Sequence, residues 1–255
     1  MKNPTKSFKK DNLLVNIYEN RESLGRAAAF DVANKIKKLQ KEKPEIRMIF
    51  GSAPSQNEFF DELVKIEGIE WDKITAFHMD EYIGLDKNAE QLFSKYLVDK
   101  FFSKVSLKKV HLIEPFDDPE KEVKRYEELL REKPIDIVCL GIGENGHIAF
   151  NDPPVADFND PYFVKIVILD DASRRQQVND GCFPEFNVVP EKAITLTIPA
   201  LISGKYLSTV VPGIRKADAV HKALTGEVKA ACPASILRNH TNAALYLDKD
   251  SSSKL

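Results

Sequence analysis

A histidine inside a glycine-rich run, Gly141-Ile142-Gly143-Glu144-Asn145-Gly146-His147, is the first feature of the sequence that could do chemistry. Asp152 follows five residues on. Histidine changes charge near neutral pH and a carboxylate can orient it, so the pair suits proton transfer. Asn145 does not ionise near neutral pH, which leaves Asp152 as the orienting carboxylate. Read as G-x-G-x-x-G, the run is a weak dinucleotide signal. Its mid-chain position and the helix-stopping Pro153 argue against that reading. His78, His111, His221 and His240 lack such a setting and read as structural or surface residues, although His78 stands two residues before Asp80.

Further segments carry unusual residues directly after a β-rich run. In His78-Met79-Asp80-Glu81-Tyr82 the adjacent carboxyls point different ways from a strand end. One can serve as a base at a substrate carbon while the other faces the scaffold; a surface turn is the bland alternative. In Gly51-Ser52-Ala53-Pro54-Ser55-Gln56 the hydroxyls and helix-start amides suit an anion, and a plain turn with an N-cap is the alternative. Pro212-Gly213-Ile214-Arg215-Lys216 puts cations at a helix start, a conflict that a bound anion would relieve, against the alternative of an exposed basic pair.

What must position these segments is a strand-and-helix alternation. Apolar β-rich runs occur at 46–50, 74–79, 110–113, 135–140, 164–169, 193–198, 206–211 and 243–247. Between them lie helical patterns such as Leu24, Ala28, Val32 and Ile36, and Val123, Tyr126 and Leu130. Ser55 with Glu58 reads as a capping box that starts a helix just after Ser55. Strands with crossover helices predict a doubly wound α/β fold, a mainly parallel sheet covered on both faces, in one domain over 1–255. In such a sheet all the chemistry-bearing segments converge on one carboxyl edge. Residues 1–12 and 249–255 are expected to be mobile ends.

Composition narrows the function classes. The 255 residues carry 37 Lys+Arg against 39 Asp+Glu, a net charge of −2, which disfavours an electrostatic binder of nucleic acid or membrane. A hydrophobic share of 43% argues for a packed globule. The 3 cysteines are odd in number and scattered, so neither a disulfide framework nor a zinc cluster is expected. No secretory signal or membrane span is evident, and a cytoplasmic protein is expected.

The runs Phe77-His78-Met79-Asp80-Glu81-Tyr82-Ile83-Gly84-Leu85, Gly141 through Pro153, and Cys232-Pro233-Ala234-Ser235-Ile236-Leu237 resemble the glucosamine-6-phosphate deaminase (isomerase) family. The order and spacing match from about Leu13 to Asp250. The sister 6-phosphogluconolactonases share the loop and histidine but normally differ after it. The resemblance implies a modified Rossmann-like fold. It also implies conversion of glucosamine 6-phosphate to fructose 6-phosphate and ammonia, with no metal or organic cofactor. By position Asp80 would be the base at C2, His147 would assist ring opening with Asn145 and Asp152, and Lys216 would contact the phosphate. Ser52, Ala53, Ser55 and Gln56 would form the phosphate loop, with Glu81 and Gly143 also at the substrate. The partner implied is a small sugar phosphate, and the family includes both monomers and homo-oligomers.

The departures fall mostly on the phosphate clamp. Asp152 replaces a usual Glu, and Asn145 a frequent Asp. Ala53-Pro54-Ser55 replaces Gly-Gly-Thr and loses an amide donor at Pro54. Gly181 stands where a phosphate-binding Arg is usual, so Arg174 or Arg175, in a lid expected over 154–185 with Asp157 and Asp160, is the expected substitute. A divergent isomerase/deaminase is the leading expectation. A lactonase and a non-catalytic sugar-phosphate sensor are the alternatives.

Overall fold

The computed structural model describes residues 3–255. Its main sheet is assembled from β1 (Lys6–Lys10), β2 (Leu13–Tyr18), β3 (Ile46–Phe50), β4 (Ile74–His78), β6 (Lys109–His111), β7 (Ile137–Leu140), β10 (Tyr206–Val211) and β11 (Ala243–Asp248). The strand order is β1-β2-β11-β10-β7-β3-β4-β6, and every pairing except β1 with β2 is parallel. Strands buried on both faces explain the near-continuous apolar runs. In β7, Ile137 and Cys139 join one core while Val138 and Leu140 join the other.

Helices cover both faces. Helices α1 (Arg21–Glu42), α2 (Asn57–Leu63) and α3 (Phe93–Lys100) pack on the Ile137 side, through residues such as Ala28, Phe60 and Leu97. Helices α4 (Pro119–Arg131), α6 (Ile198–Ile202) and α7 (Ala217–Thr225) pack on the Val138 side, through Tyr126, Leu201 and Val220. Helix α1 buries Leu24, Ala28, Val32 and Ile36, the stripe that its periodicity predicts, and Asn20 caps its start by accepting from Ser23 N.

The structure departs from the sequence reading in several places. The runs at 164–169 and 193–198 do not join the main sheet. As β8 (Val164–Ile168) and β9 (Lys192–Leu196) they form a separate antiparallel sheet with β5 (Asp80–Ile83), in the order β5-β9-β8. A third core of Tyr82, Phe93, Phe150, Val167 and Phe183 supports this sheet, and α5 (Asp171–Asn179) lies beside it. The Ser55–Glu58 capping box does not form. Pro54–Gln56 is a 3-10 turn, Ser55 accepts from Gln56 Nε2, and Glu58 pairs with Arg21 at 2.9 Å. An ion pair to a neighbouring helix has displaced the cap.

The two ends are also anchored. Strand β1 pairs along its length with β2, while residues 1 and 2 of the expected mobile segment lie outside the described residues. At the other end Ser251 is fully buried and its amide donates to Asp248 Oδ1. The same Asp248 carboxylate accepts Gly213 N at 3.0 Å on both oxygens. These backbone groups have found partners, which is what loose ends lack.

Candidate active site

The strand order reverses between β3 and β7, with β4 and β6 continuing one way and β10 and β11 the other. Loops leaving the carboxyl ends of strands on either side of such a switch part and leave a crevice. Here the loops after β3, β4, β7 and β10 line a cleft of 330 Å³, at the small end of the about 300–1,000 Å³ typical of small-molecule sites. All four segments singled out in the sequence reach it.

On one wall stands His147. Its ring lies so close to Gly143 that a Cβ there would sit 2.2 Å from the imidazole, so only glycine fits. Behind the ring, Nδ1 is 3.0 Å from Asp152 Oδ1 and 2.9 Å from Ser173 Oγ. Ser173 donates to the same Asp152 oxygen at 2.7 Å, and Asn145 Nδ2 donates to it at 2.8 Å. Burial pushes the Asp152 carboxyl up, but these bonds and the imidazole outweigh it and hold the group below its ordinary 3.8. An ionised carboxylate only accepts, so Nδ1 carries the proton and Nε2 is left as a bare acceptor. Asn145 and Asp152 therefore stand behind the histidine and do not line the cleft, Asp152 in the orienting position expected of it.

The loop carrying His147 is rigid. Asn145 Oδ1 accepts His147 N, Thr195 Oγ1 accepts Phe150 N, and Asn151 Nδ2 donates to Ile148 O and Leu196 O. Ala149, on the cleft wall, holds φ 49°, a left-handed conformation that alanine adopts only under constraint.

Asp80 opens β5 and also lines the cleft, while Glu81 points to the opposite face of the strand. The Asp80 side chain has no hydrogen-bond partner among the described residues. Burial, and then the neighbouring Glu81, push its carboxyl well above 3.8. Glu81 is fully buried and accepts from Tyr82 N, Phe93 N and Ser94 N at 2.8–3.0 Å, so it holds the start of α3. That corrects its expected place at the substrate. His78 is likewise scaffold: its Nε2 accepts Ile113 N, and burial lowers its pKa to about 3.

The remaining wall is cationic. Lys216 is buried and lines the cleft, and its ammonium has no protein partner among the described residues. Burial lowers its pKa, with Asp180 and Glu144 opposing. Arg215 donates to Asn179 O, and Arg21 reaches the cleft while bound to Glu58 and Pro54 O. Ser52 Oγ is buried without a partner among the described residues, Ala53 and Ser55 line the same wall, and Gln56 Nε2 is tied to Val210 O.

Arg174 and Arg175 do not reach the cleft, contrary to expectation. Arg174 donates to Val189 O and stacks on Phe186 at 4.2 Å, and Arg175 lies over the same ring. Asp160 pairs with Lys165 and Asp157 accepts Asn159 N, so neither serves the site. The segment 154–185 contributes Gln176, Gln177 and Asp180 instead, none of which the sequence reading found. Its overlooked signal is the inward face of α5, which is polar throughout: Ser173, Gln176 and Gln177. Arg21 was missed too, although it is a cation at a helix start like Lys216.

A family model described as glucosamine-6-phosphate isomerases/6-phosphogluconolactonase matches residues 19–246. The chain belongs to this family. A glucosamine-6-phosphate deaminase of Bacillus cereus (strain B4264) is 34% identical over 211 residues, covering 82% of this chain and 78% of the relative. The solved structure of a monomeric glucosamine-6-phosphate deaminase superposes with a TM-score of 0.85 at 30% identity, covering 94% of this chain and 99% of that one. A 6-phosphogluconolactonase from Thermotoga maritima, with a TM-score of 0.76 at 20% identity over 93% and 100% of the two chains, shares the fold. The family is one of enzymes, and both of its branches are similar to this chain in fold. No helix of the described residues is long and apolar enough to cross a membrane.

Proposed function

We propose that this family member is an aldose–ketose isomerase/deaminase acting on glucosamine 6-phosphate or a close amino-sugar phosphate. The observation that carries the reading is Asp80, a cleft-lining carboxyl with no hydrogen-bond partner among the described residues and a raised pKa. A lactonase has no use for a base at C2. An isomerase needs one, and a carboxylate of raised pKa is a stronger base.

His147 Nε2 takes the proton from the anomeric hydroxyl and passes it to O5 as the C1–O5 bond breaks, which leaves the histidine neutral again. Asp80 then removes the C2 proton from the open-chain aldehyde, giving an enediol-type intermediate with the amine on C2. Return of a proton to C1 gives a ketose imine, which water hydrolyses to the ketose phosphate and ammonia. Lys216, with Arg215 and Ser52 nearby, binds the phosphate. A buried ammonium without a counter-ion is costly, and a phosphate dianion relieves it. The free thiols Cys139, Cys182 and Cys232 suit a reducing compartment such as the cytoplasm.

The test is to incubate the protein with glucosamine 6-phosphate and assay ammonia and ketose, and separately to assay acid release from 6-phosphogluconolactone. Stoichiometric ammonia and ketose are expected. Acid release without ammonia assigns the chain to the lactonase branch. Saturable binding without turnover of either compound supports a sensor.

A further inference from the structure

Helix α5 buries Ser173, Gln176 and Gln177, the i, i+3 and i+4 positions of one face. A helix that buries only polar side chains is stable when each has a partner. Ser173 is satisfied by Asp152 and His147. Gln176 is satisfied as well: its Oε1 accepts Glu144 N at 2.7 Å and its Nε2 donates to Asp180 at 3.2 Å. Gln177 differs. It is only 7% exposed and lines the cleft, yet its carboxamide makes no hydrogen bond among the described residues. Unlike Gln56 Oε1, its atoms are not sealed from the cleft.

The helix also spans the site. Near its start, Ser173 touches the reacting histidine. At its end, Asn179 O accepts from Arg215, next to the phosphate-binding Lys216. At 1.5 Å per residue, Ser173 to Asn179 is roughly 9 Å, of the order of a six-carbon phosphate ester from C1 to phosphorus. Gln177 lies between those ends. We infer that Gln177 is a specificity-determining residue whose carboxamide reads the hydroxyls at C3 and C4 of the bound sugar phosphate. A carboxamide offers a donor and an acceptor side by side, which fits a vicinal diol. The inference rests on the proposed orientation, with the reacting end at His147 and the phosphate at Lys216.

The experiment measures equilibrium binding of glucosamine 6-phosphate, its C4 epimer galactosamine 6-phosphate, and inorganic phosphate, to the wild type and to Gln177→Ala and Gln177→Glu. Ammonia release is followed in parallel. Wild type is expected to favour one epimer. Gln177→Ala is expected to weaken the favoured one by roughly 10- to 50-fold, the loss of a pair of neutral hydrogen bonds, and to bring the epimer ratio close to one. Inorganic phosphate affinity is expected to stay within twofold, which shows that the variant is folded and its cationic end intact. Gln177→Glu keeps an acceptor and loses the donor, and is expected to fall between the two. An unchanged epimer ratio in both variants overturns the role of Gln177, whatever the ammonia assay gives. If ammonia is absent but the ratio collapses as stated, the deaminase reading fails and Gln177 stands. If wild type binds neither epimer, both fall.

Discussion

Asp80 and Glu81 are adjacent, chemically alike and differently employed. Glu81 is surrounded by amide donors, whereas Asp80 faces the cleft with none among the described residues. Asp80→Asn is expected to lower turnover by roughly 10²–10⁴-fold and to abolish solvent-deuterium exchange at C2, with substrate affinity nearly kept. Undiminished exchange removes Asp80 from the role. The same variant should be more stable. A carboxyl held above its unfolded pKa of 3.8 adds stability below that pH and loses it as pH rises toward the folded value. Asparagine removes that loss, so thermal melts should show Asp80→Asn above wild type at neutral pH, with the gap closing toward pH 4. His147→Ala should impair a cyclic substrate far more than an open-chain analogue, and equal losses would assign the histidine to another step. Lys216→Ala should weaken sugar-phosphate binding by roughly 10–150-fold, at about 1.5–3 kcal/mol for a charged hydrogen bond, and the unphosphorylated sugar hardly at all. Isothermal titration with both ligands checks this.

At the scale of elements, legibility divides by what each signal depends on. That Asp80, His147 and Lys216 would meet at one cleft could be read because strand-end position and residue type are local properties. Arg174 and Arg175 could not, because sequence proximity to a missing arginine says nothing of which way α5 turns. The helix presents Ser173, Gln176 and Gln177 inward and sends Arg174 to Val189 O and Phe186. Ser55 and Glu58 matched a capping pattern, but Arg21, distant in sequence, claimed the glutamate. Strand β5 was hidden because its pairing partner is β9, more than a hundred residues away. Glu81 ties that strand to α3. Glu81→Ala strips acceptors from three buried amides and is expected to lower unfolding free energy by roughly 2–4 kcal/mol. Chemical denaturation measures it, and a loss below 1 kcal/mol would show that water replaces the carboxylate.

Over the whole molecule, the parallel sheet and its helical layers follow from apolar runs alternating with helical stripes, and that much was plain in the residues. The split into a large parallel and a small antiparallel sheet was not, since 164–169 and 193–198 are apolar enough for either. The two acids of the site also set opposing pH dependences. Asp152, held below 3.8, contributes stability above that pH and loses it as the medium becomes more acidic, while Asp80 acts in the reverse sense.

The Asp248 carboxylate grips the Gly213 amide at the entrance to the Lys216 turn. The turns beyond it fold back, with Lys254 paired to Asp218 on α7. The segment 248–255 is thus part of the frame of the cleft and not a handle hung from it. A variant with residues 248–255 deleted is expected to release Gly213 and to bind a sugar phosphate more weakly, with the rest of the sheet still folded by circular dichroism.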